Sequence, residues 1–175
     1  MADAPVLQAI DPDDVSMVDA VLALNEHWVP HVGSVTRDRL VSLLGQADLA
    51  VAAIGGGGSL AGFLILVAPG ADYSSPNYRY FQERLDSGGA PGPFRYVDRV
   101  AVDPSAQGSG IGRALYEAAV ARAAEVGAVE VTCEVNLEPP NPDSQAFHAR
   151  MGFVEVGRQW TYDDTVQVQL LARPV

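Results

Sequence analysis

The feature that most constrains the fold is a glycine-rich turn between an apolar strand and a long helix. The strand is predicted over Phe94–Val102, the turn carries Gly108, Gly110 and Gly112, and the helix is predicted over Arg113–Val126. Backbone N–H groups in such a turn converge with the positive end of the helix dipole, so the turn predicts an anion site built from main chain. Glycine at these positions allows a bulky pyrophosphate to approach the backbone.

The other elements follow from hydrophobic periodicity and from Gly, Pro and Asp punctuation. Further strands are predicted at Val6–Ile10, Leu49–Ile54, Leu60–Val67, Val129–Asn136, Phe153–Trp160 and Val166–Leu171. One further helix is predicted to have Asp11 as its N-cap and Pro12 as its first residue, and to end at His27–Val29. Two more helices are predicted from Thr36 to Gly45 and over Ser144–Met151. The Ala68–Pro93 segment is predicted to be a long loop with one or two helical turns at Tyr78–Leu85. This order indicates an α/β protein with one domain over residues 1–175.

Composition excludes several classes of function. All 11 basic residues are arginine, so mechanisms that need a lysine, such as Schiff-base chemistry or a Walker A loop, are excluded. A net charge of −11 disfavours nucleic acid as a partner. The apolar run Leu60–Pro69 is too short to span a bilayer, and Met1–Val6 lacks the features of a signal peptide. We therefore expect a cytoplasmic protein with no membrane partner.

Metal and disulfide chemistry are also not expected. His27 and His31 are four residues apart, but Pro30 breaks the helix between them and no third ligand is evident, so no metal site is predicted. Cys133 is the single cysteine and lies between Val131 and Val135, which predicts a small core residue in a strand.

The glycine turn departs from a dinucleotide-binding fingerprint at one position, because Arg113 stands where glycine or alanine is required. It matches the pattern Q-x-x-G-x-G at Gln107, Gly110 and Gly112 instead, and in this it resembles the coenzyme A pyrophosphate loop of the GNAT superfamily of N-acetyltransferases. The segment Asn141–Phe153 is similar to that family's second signature, an asparagine, a short helix and a closing Gly-Phe.

The resemblance covers most of residues 6–173 and implies a central, mixed, mostly antiparallel twisted sheet flanked by helices. It also implies acetyl-CoA as cofactor. The main chain around Val100, Ala101 and Val102 would hold the pantetheine arm and supply a donor for the developing oxyanion. The other implied cofactor-binding residues are Gln107, Gly108, Ser109, Gly110, Ile111, Gly112, Arg113, Asn141, Ser144 and Phe147.

Direct attack by an amine needs a base for the ammonium proton and an acid for the departing thiolate. Asp98 lies where the family often carries its base, although an ion pair with Arg99 is an equally simple role for it. Glu134, a polar residue in the next strand, is the alternative base or a group that binds the acceptor's ammonium. His148 occupies the place of the family's proton-donating tyrosine, but a packing or capping role is also open.

The acceptor pocket is expected at the end of the first helix and in the long loop. Its candidate residues are Asn25, Glu26, Trp28, Asp72, Tyr73 and Asn136. Their acidic members, with Glu134, favour a cationic acceptor. The implied function is acetyl transfer to a primary amine of a small molecule or to an amino group, and a homodimer is consistent with the resemblance. The alternative is a catalytically silent module that binds coenzyme A.

Overall fold

A computed structural model describes residues 5–175. Residues 1–4, which belong to the segment Met1–Val6 considered above as a possible signal peptide, lie outside the described residues. The strands are β1 (Val6–Ala9), β2 (Leu49–Ile54), β3 (Leu60–Val67), β4 (Phe94–Val102), β5 (Glu130–Glu138), β6 (Val154–Thr161) and β7 (Val166–Pro174). The helices are α1 (Val15–His27), α2 (Arg37–Gln46), α3 (Pro76–Asp86), α4 (Ile111–Glu125) and α5 (Pro142–Arg150). No helix within residues 5–175 is long and apolar enough to cross a membrane.

The strands form a seven-stranded sheet in the order β1-β2-β3-β4-β5-β7-β6. β4 pairs with β5 in parallel, whereas β1 with β2, β2 with β3, β5 with β7 and β6 with β7 are antiparallel. The predicted α/β class, with a mixed and mostly antiparallel sheet, is therefore confirmed.

The chain divides into two compact units. One contains residues 5–67 with Val97–Ala119, and the other contains Ala68–Tyr96 with Val120–Val175. Both β4 and α4 contribute residues to each unit. The single domain over residues 1–175 stays a prediction.

The first unit is built around β3, whose residues from Ala61 to Val67 are all buried. Gly62 lies beneath the first turn of α4: a Cβ atom there would be 2.9 Å from both the Ala101 carbonyl oxygen and the Cγ2 atom of Ile111. The absence of a side chain at this position therefore allows β3, the end of β4 and the start of α4 to approach closely.

The second unit contains a polar strand face that α3 helps to neutralise. Side chains alternate between the two faces of a strand, so β5 presents Glu130, Thr132, Glu134 and Asn136 on one face. Arg84 of α3 forms an ion pair with Glu130, and the Glu130 side chain is only 5% exposed. An unpaired carboxylate buried to this degree would be strongly destabilising, so Arg84 compensates the charge of Glu130.

The beginning of α1 differs from the prediction. Asp11 does not cap the helix: its carboxylate accepts from the Asp13 N–H at 2.9 Å and its carbonyl accepts from Asp14 N, which closes a turn first. Asp14 is the cap, accepting from Met17 N at 3.1 Å, and α1 begins at Val15. The local side-chain hydrogen bonds of aspartate compete with helix formation, so Pro12 lies in the turn before the helix.

The segment Ala68–Pro93 contains a longer helix than predicted: α3 occupies 11 of its residues and includes the one or two turns predicted at Tyr78–Leu85. Ser75 caps this helix and Pro76 is its first residue, a start signal that the loop-like composition hides. Only Asn77, Tyr78 and Phe81 are buried, so the apolar stripe is too short to be recognised by periodicity.

Smaller differences concern helix ends. α2 is capped by Thr36 as predicted, but it continues past Gly45 to Gln46. α4 begins at Ile111, two residues before the predicted start. α5 begins at Pro142 because Asn141 is its cap.

Candidate active site

The glycine turn forms an open main-chain surface at the beginning of α4. Gly108 and Gly110 have φ angles of +76° and +90°, and neither has any atom within 4 Å of the position a Cβ would take. The first helical bond is donated by Ala114 N to Gly110 O at 3.0 Å, so the N–H groups of Ile111–Arg113 precede the helical ladder, whereas Ser109 N already donates to Ala106 O at 3.3 Å. The open turn and the helix start together fit a pyrophosphate.

Side chains around this turn separate into exposed and buried groups. Gln107, Ser109 and Arg113 are exposed, and Arg113 lies 4.0 Å from Glu117. Ile111 is buried, so its side chain belongs to the core and only its main chain can contact an anion. Gly112 lies between Ile111 and Arg113 in the first turn of α4.

The end of β4 carries a side-chain contact that the sequence did not predict. Trp28 donates its indole N–H to the carbonyl oxygen of Val102 at 2.9 Å. Asp103 N donates to Ala61 O on β3, so the backbone groups of Val102 point to the opposite edge of β4. Trp28 therefore lies against the strand segment Val100–Val102 that was predicted to hold the pantetheine arm.

Asp98 belongs to a hydrogen-bonded network in the first unit. Its Oδ2 atom accepts from Arg99 Nε at 2.8 Å, and the two side chains are 3% and 9% exposed. Arg99 also donates to Asn25 Oδ1 at 2.9 Å and to Gly33 O at 3.1 Å. The ion pair considered from the sequence is therefore formed, but it is buried and ties β4 to the segment after α1.

Glu26 stabilises the same segment. Its carboxylate accepts from Val35 N at 2.9 Å, from Ser34 Oγ at 2.7 Å and from the Asn25 amide at 3.0 Å. The hydrogen bonds from Val35 and Ser34 lower the pKa of Glu26 below its ordinary value. Both oxygens are thus used to hold the connection between α1 and α2.

Glu134 lies in the second unit, half-buried, where its Oε2 atom accepts from the phenol of Tyr96 at 2.8 Å. Tyr96 is completely buried and contacts Tyr78 with ring centroids 5.7 Å apart. Tyr73 contacts Tyr78 at 5.6 Å, while Asp72 beside it is exposed. Ring contacts of Tyr78 with Tyr73 and Tyr96, and the hydrogen bond from Tyr96, therefore connect Tyr73 to Glu134.

His148 is buried on α5, and its Nδ1 atom lies 2.7 Å from the carbonyl oxygen of Ser144. A carbonyl only accepts, so Nδ1 carries a hydrogen atom. Burial lowers the pKa of His148, an effect larger than the opposite one of the Ser144 hydrogen bond. The ring is packed between the aromatic rings of Phe147 and Phe153, both with centroids 5.3 Å from it.

The remaining predicted residues of the second unit have local structural contacts. The Asn141 side chain caps α5 by accepting from Ser144 N at 3.3 Å. Asn136 is buried, and its carbonyl accepts from Gln145 Nε2 at 3.2 Å and from Asn141 N at 3.3 Å.

Sequence reasoning anticipated the pairing of Asp98 with Arg99 but missed Tyr96, which donates to Glu134. The alternation of polar residues along β5 was a usable signal, because a polar face inside a sheet requires partners from neighbouring elements. Within residues 5–175 no group of three or more His, Cys, Asp or Glu side chains is arranged to hold a metal ion.

Comparisons with known proteins identify the family and the fold. The model of the acetyltransferase (GNAT) family matches residues 23–153, so the chain belongs to this family. It is an acyltransferase that uses acetyl-CoA. A comparison with curated proteins found no match.

Solved structures show the same fold at low sequence identity. The NatC complex bound to Gag peptide and CoA has a TM-score of 0.74 at 16% identity, covering 97% of this chain and 98% of the other. Ard1 from Thermoplasma volcanium has a TM-score of 0.73 at 20% identity, covering 98% of each chain. The ribosomal-protein-S18-alanine N-acetyltransferase from Escherichia coli has a TM-score of 0.70 at 18% identity, covering 98% and 94%.

Proposed function

We propose that the protein transfers the acetyl group of acetyl-CoA to a primary amine, carried by a small molecule or present as an amino group, by direct attack in a ternary complex. The observation that carries this choice is the half-buried carboxylate of Glu134, which a buried phenol holds through one oxygen. An amine arrives at neutral pH as an ammonium ion and must lose a proton before it attacks. A fixed carboxylate both attracts that cation and accepts its proton.

Bound acetyl-CoA supplies the activated acetyl group. The N–H groups at the start of α4 would bind its pyrophosphate, with Gly108 and Gly110 providing the open main chain. The backbone of Val100–Val102 would bind the pantetheine arm and donate a hydrogen bond to the developing oxyanion. These roles need no lysine, which agrees with the composition of the chain.

We propose Glu134 as the base in preference to Asp98. Asp98 accepts from Arg99, which is itself bonded to Asn25 and Gly33, so this carboxylate is part of the framework around the end of α1. Glu134 accepts instead from an uncharged group, the phenol of Tyr96.

His148 is the proposed acid for the departing thiolate. Because Nδ1 keeps its hydrogen for the Ser144 carbonyl, Nε2 is the ring atom that would gain and release the proton. The lowered pKa of His148 makes the protonated ring a minor species at neutral pH, and a strong proton donor when it forms.

The acceptor is proposed to be cationic near the reacting amine. Glu134 and the exposed Asp72 support this, whereas Glu26 uses both oxygens within its own segment. Asn25, Trp28, Tyr73 and Asn136 stay predicted acceptor residues. The cytoplasmic location and a homodimer also stay predictions.

The test is release of free thiol from acetyl-CoA across a panel of amines and amino acids, with purified wild type and Glu134→Gln. We expect turnover by the wild type and a loss of about 100-fold or more in Glu134→Gln, because a positioned base contributes about 10²–10⁴-fold. Affinity for acetyl-CoA, measured by calorimetry, should be the same in both proteins.

Glu138→Gln is the matched control, since Glu138 is an exposed residue at the end of the same strand. It should retain wild-type turnover. Measurable binding of coenzyme A without turnover of any amine would instead favour the silent binding module. Equal activity of Glu134→Gln and wild type would reject Glu134 as the base.

A further inference from the structure

The phenol of Tyr96 and the carboxylate of Glu134 form a side-chain contact between β4 and β5. In the parallel register Tyr96 is opposite Thr132, so Glu134 is two residues further along β5 and on the same face as Thr132. The Tyr96 hydroxyl donates to Glu134 Oε2 at 2.8 Å. This places the contact at the carboxyl end of the β4–β5 ladder.

The ring of Tyr96 is held firmly on its other side. It is 0% exposed, and the rings of Tyr78 and Phe81 on α3 lie against it with centroid distances of 5.7 and 5.8 Å. The helix that carries these rings is tied to β6 by Tyr80, which donates to Val156 O at 2.7 Å. The direction of the Tyr96 hydroxyl is therefore determined by packing.

We propose that Tyr96 is a positioning residue for Glu134: its hydroxyl holds the Oε2 atom and stabilises the ionised form of the carboxylate that receives the acceptor's ammonium. This inference rests on the proposed function of Glu134 as base or ammonium-binding group. A hydrogen bond donated to a carboxylate favours its charged state, and this charge is what binds an ammonium ion.

The residues of β7 that lie opposite Glu134 are uncharged. On β7 its register partner is Leu170, between Gln169 and Leu171. Among the described residues of the second unit, the titratable or charged groups include Tyr78 and Arg84 on α3, Glu130 on β5 and His148 on α5. Arg84 is already paired with Glu130, and the Tyr78 hydroxyl contacts Ala68 O and Ala71 N at 2.9 Å.

The experiment compares Tyr96→Phe with Tyr78→Phe in the full-length protein. Each substitution removes one hydroxyl from a buried ring, but only Tyr96 donates to a carboxylate. The protein is labelled with ¹³C at glutamate carboxylates, and the Glu134 signal is identified by its loss in Glu134→Gln. Its titration by NMR requires no catalytic activity.

We expect the midpoint of the Glu134 titration to move up by about one pH unit in Tyr96→Phe, because a hydrogen bond to a charged group is being removed. The acidic limb of kcat/KM should move by the same amount. Tyr78→Phe should change neither. Unfolding curves establish that both variants are folded, and Phe keeps the ring that packs against α3.

Two results would overturn the inference: an unchanged midpoint in folded Tyr96→Phe, or equal shifts in both variants, which would indicate a general effect of packing. The proposed function fails separately, if the wild type turns over no amine. In that case the NMR titration still decides whether Tyr96 controls the charge of Glu134.

Discussion

The indole N–H of Trp28, at the end of α1, donates to the carbonyl oxygen of Val102, the last residue of β4, at 2.9 Å. This contact lies on the strand edge that faces away from β3. Trp28 is half-buried, whereas the other tryptophan, Trp160, is 48% exposed. The two indoles therefore occupy different environments and can be distinguished by fluorescence.

We predict that Trp28 emission reports cofactor binding. In Trp160→Phe, titration with acetyl-CoA should change the intensity or wavelength of the remaining indole emission, because Trp28 contacts the segment proposed to bind pantetheine. In Trp28→Phe, the emission of Trp160 should stay constant during the same titration. Binding detected by calorimetry without any change in Trp28 emission would contradict the prediction.

A matched glycine pair tests the main-chain conformation of the turn. Gly108 and Gly88 both have φ angles of +76° and open space at the Cβ position, but Gly88 follows α3. Alanine in the left-handed region costs about 1–2 kcal/mol, so both substitutions should lower stability by a similar amount. Only Gly108→Ala should also weaken acetyl-CoA binding, by about tenfold. Equal affinities of the two variants, measured by calorimetry, would show that the turn does not bind the cofactor.

Gly62 tests the close approach of β3 to α4. Its Cβ would meet the Ala101 carbonyl at 2.9 Å, and backbone cannot yield as a flexible side chain can. Gly62→Ala should therefore destabilise the protein by about 1–3 kcal/mol in urea unfolding. The control is Gly45→Ala inside α2, where no atom lies within 4 Å and alanine should stabilise by about 0.5–1 kcal/mol. A wild-type unfolding midpoint for Gly62→Ala would disprove the contact.

His148 makes the stability of the protein depend on pH. Burial lowers the pKa of its ring in the folded state, so below about pH 6.5 the unfolded chain takes up a proton that the folded chain does not. The free energy of unfolding therefore keeps the contribution of the neutral, buried His148 ring above pH 6.5 and loses it as the pH falls. Compared with His148→Gln, the wild type should lose up to about 1.4 kcal/mol per pH unit between pH 6.5 and 5.5. Parallel urea-unfolding series for the two proteins would contradict this.

Local signals predicted most strands and the order of the elements, because hydrophobic alternation and turn residues act over a few neighbouring positions. The strands β2 and β3 agree with the predicted Leu49–Ile54 and Leu60–Val67. The same reasoning predicted only one or two turns of α3, at Tyr78–Leu85, because the buried surface of this helix depends on β4 and β5 as partners. It also misplaced the start of α1, because Asp11 and Asp14 both accept a backbone hydrogen bond but only Asp14 caps the helix.

The sequence by itself determined the α/β order of elements and the presence of the two family signatures, because each depends on residue type and short-range spacing. It also excluded lysine from any phosphate site. Only the tertiary structure decided which side chains hold the candidate groups: Arg99 for Asp98, Tyr96 for Glu134 and the Ser144 carbonyl for His148. Tyr96 and Glu134 are far apart in the chain, and their partnership arises from strand register and from rings on a helix. The burial and hydrogen bonding that set a carboxylate's charge arise only when these elements are packed together.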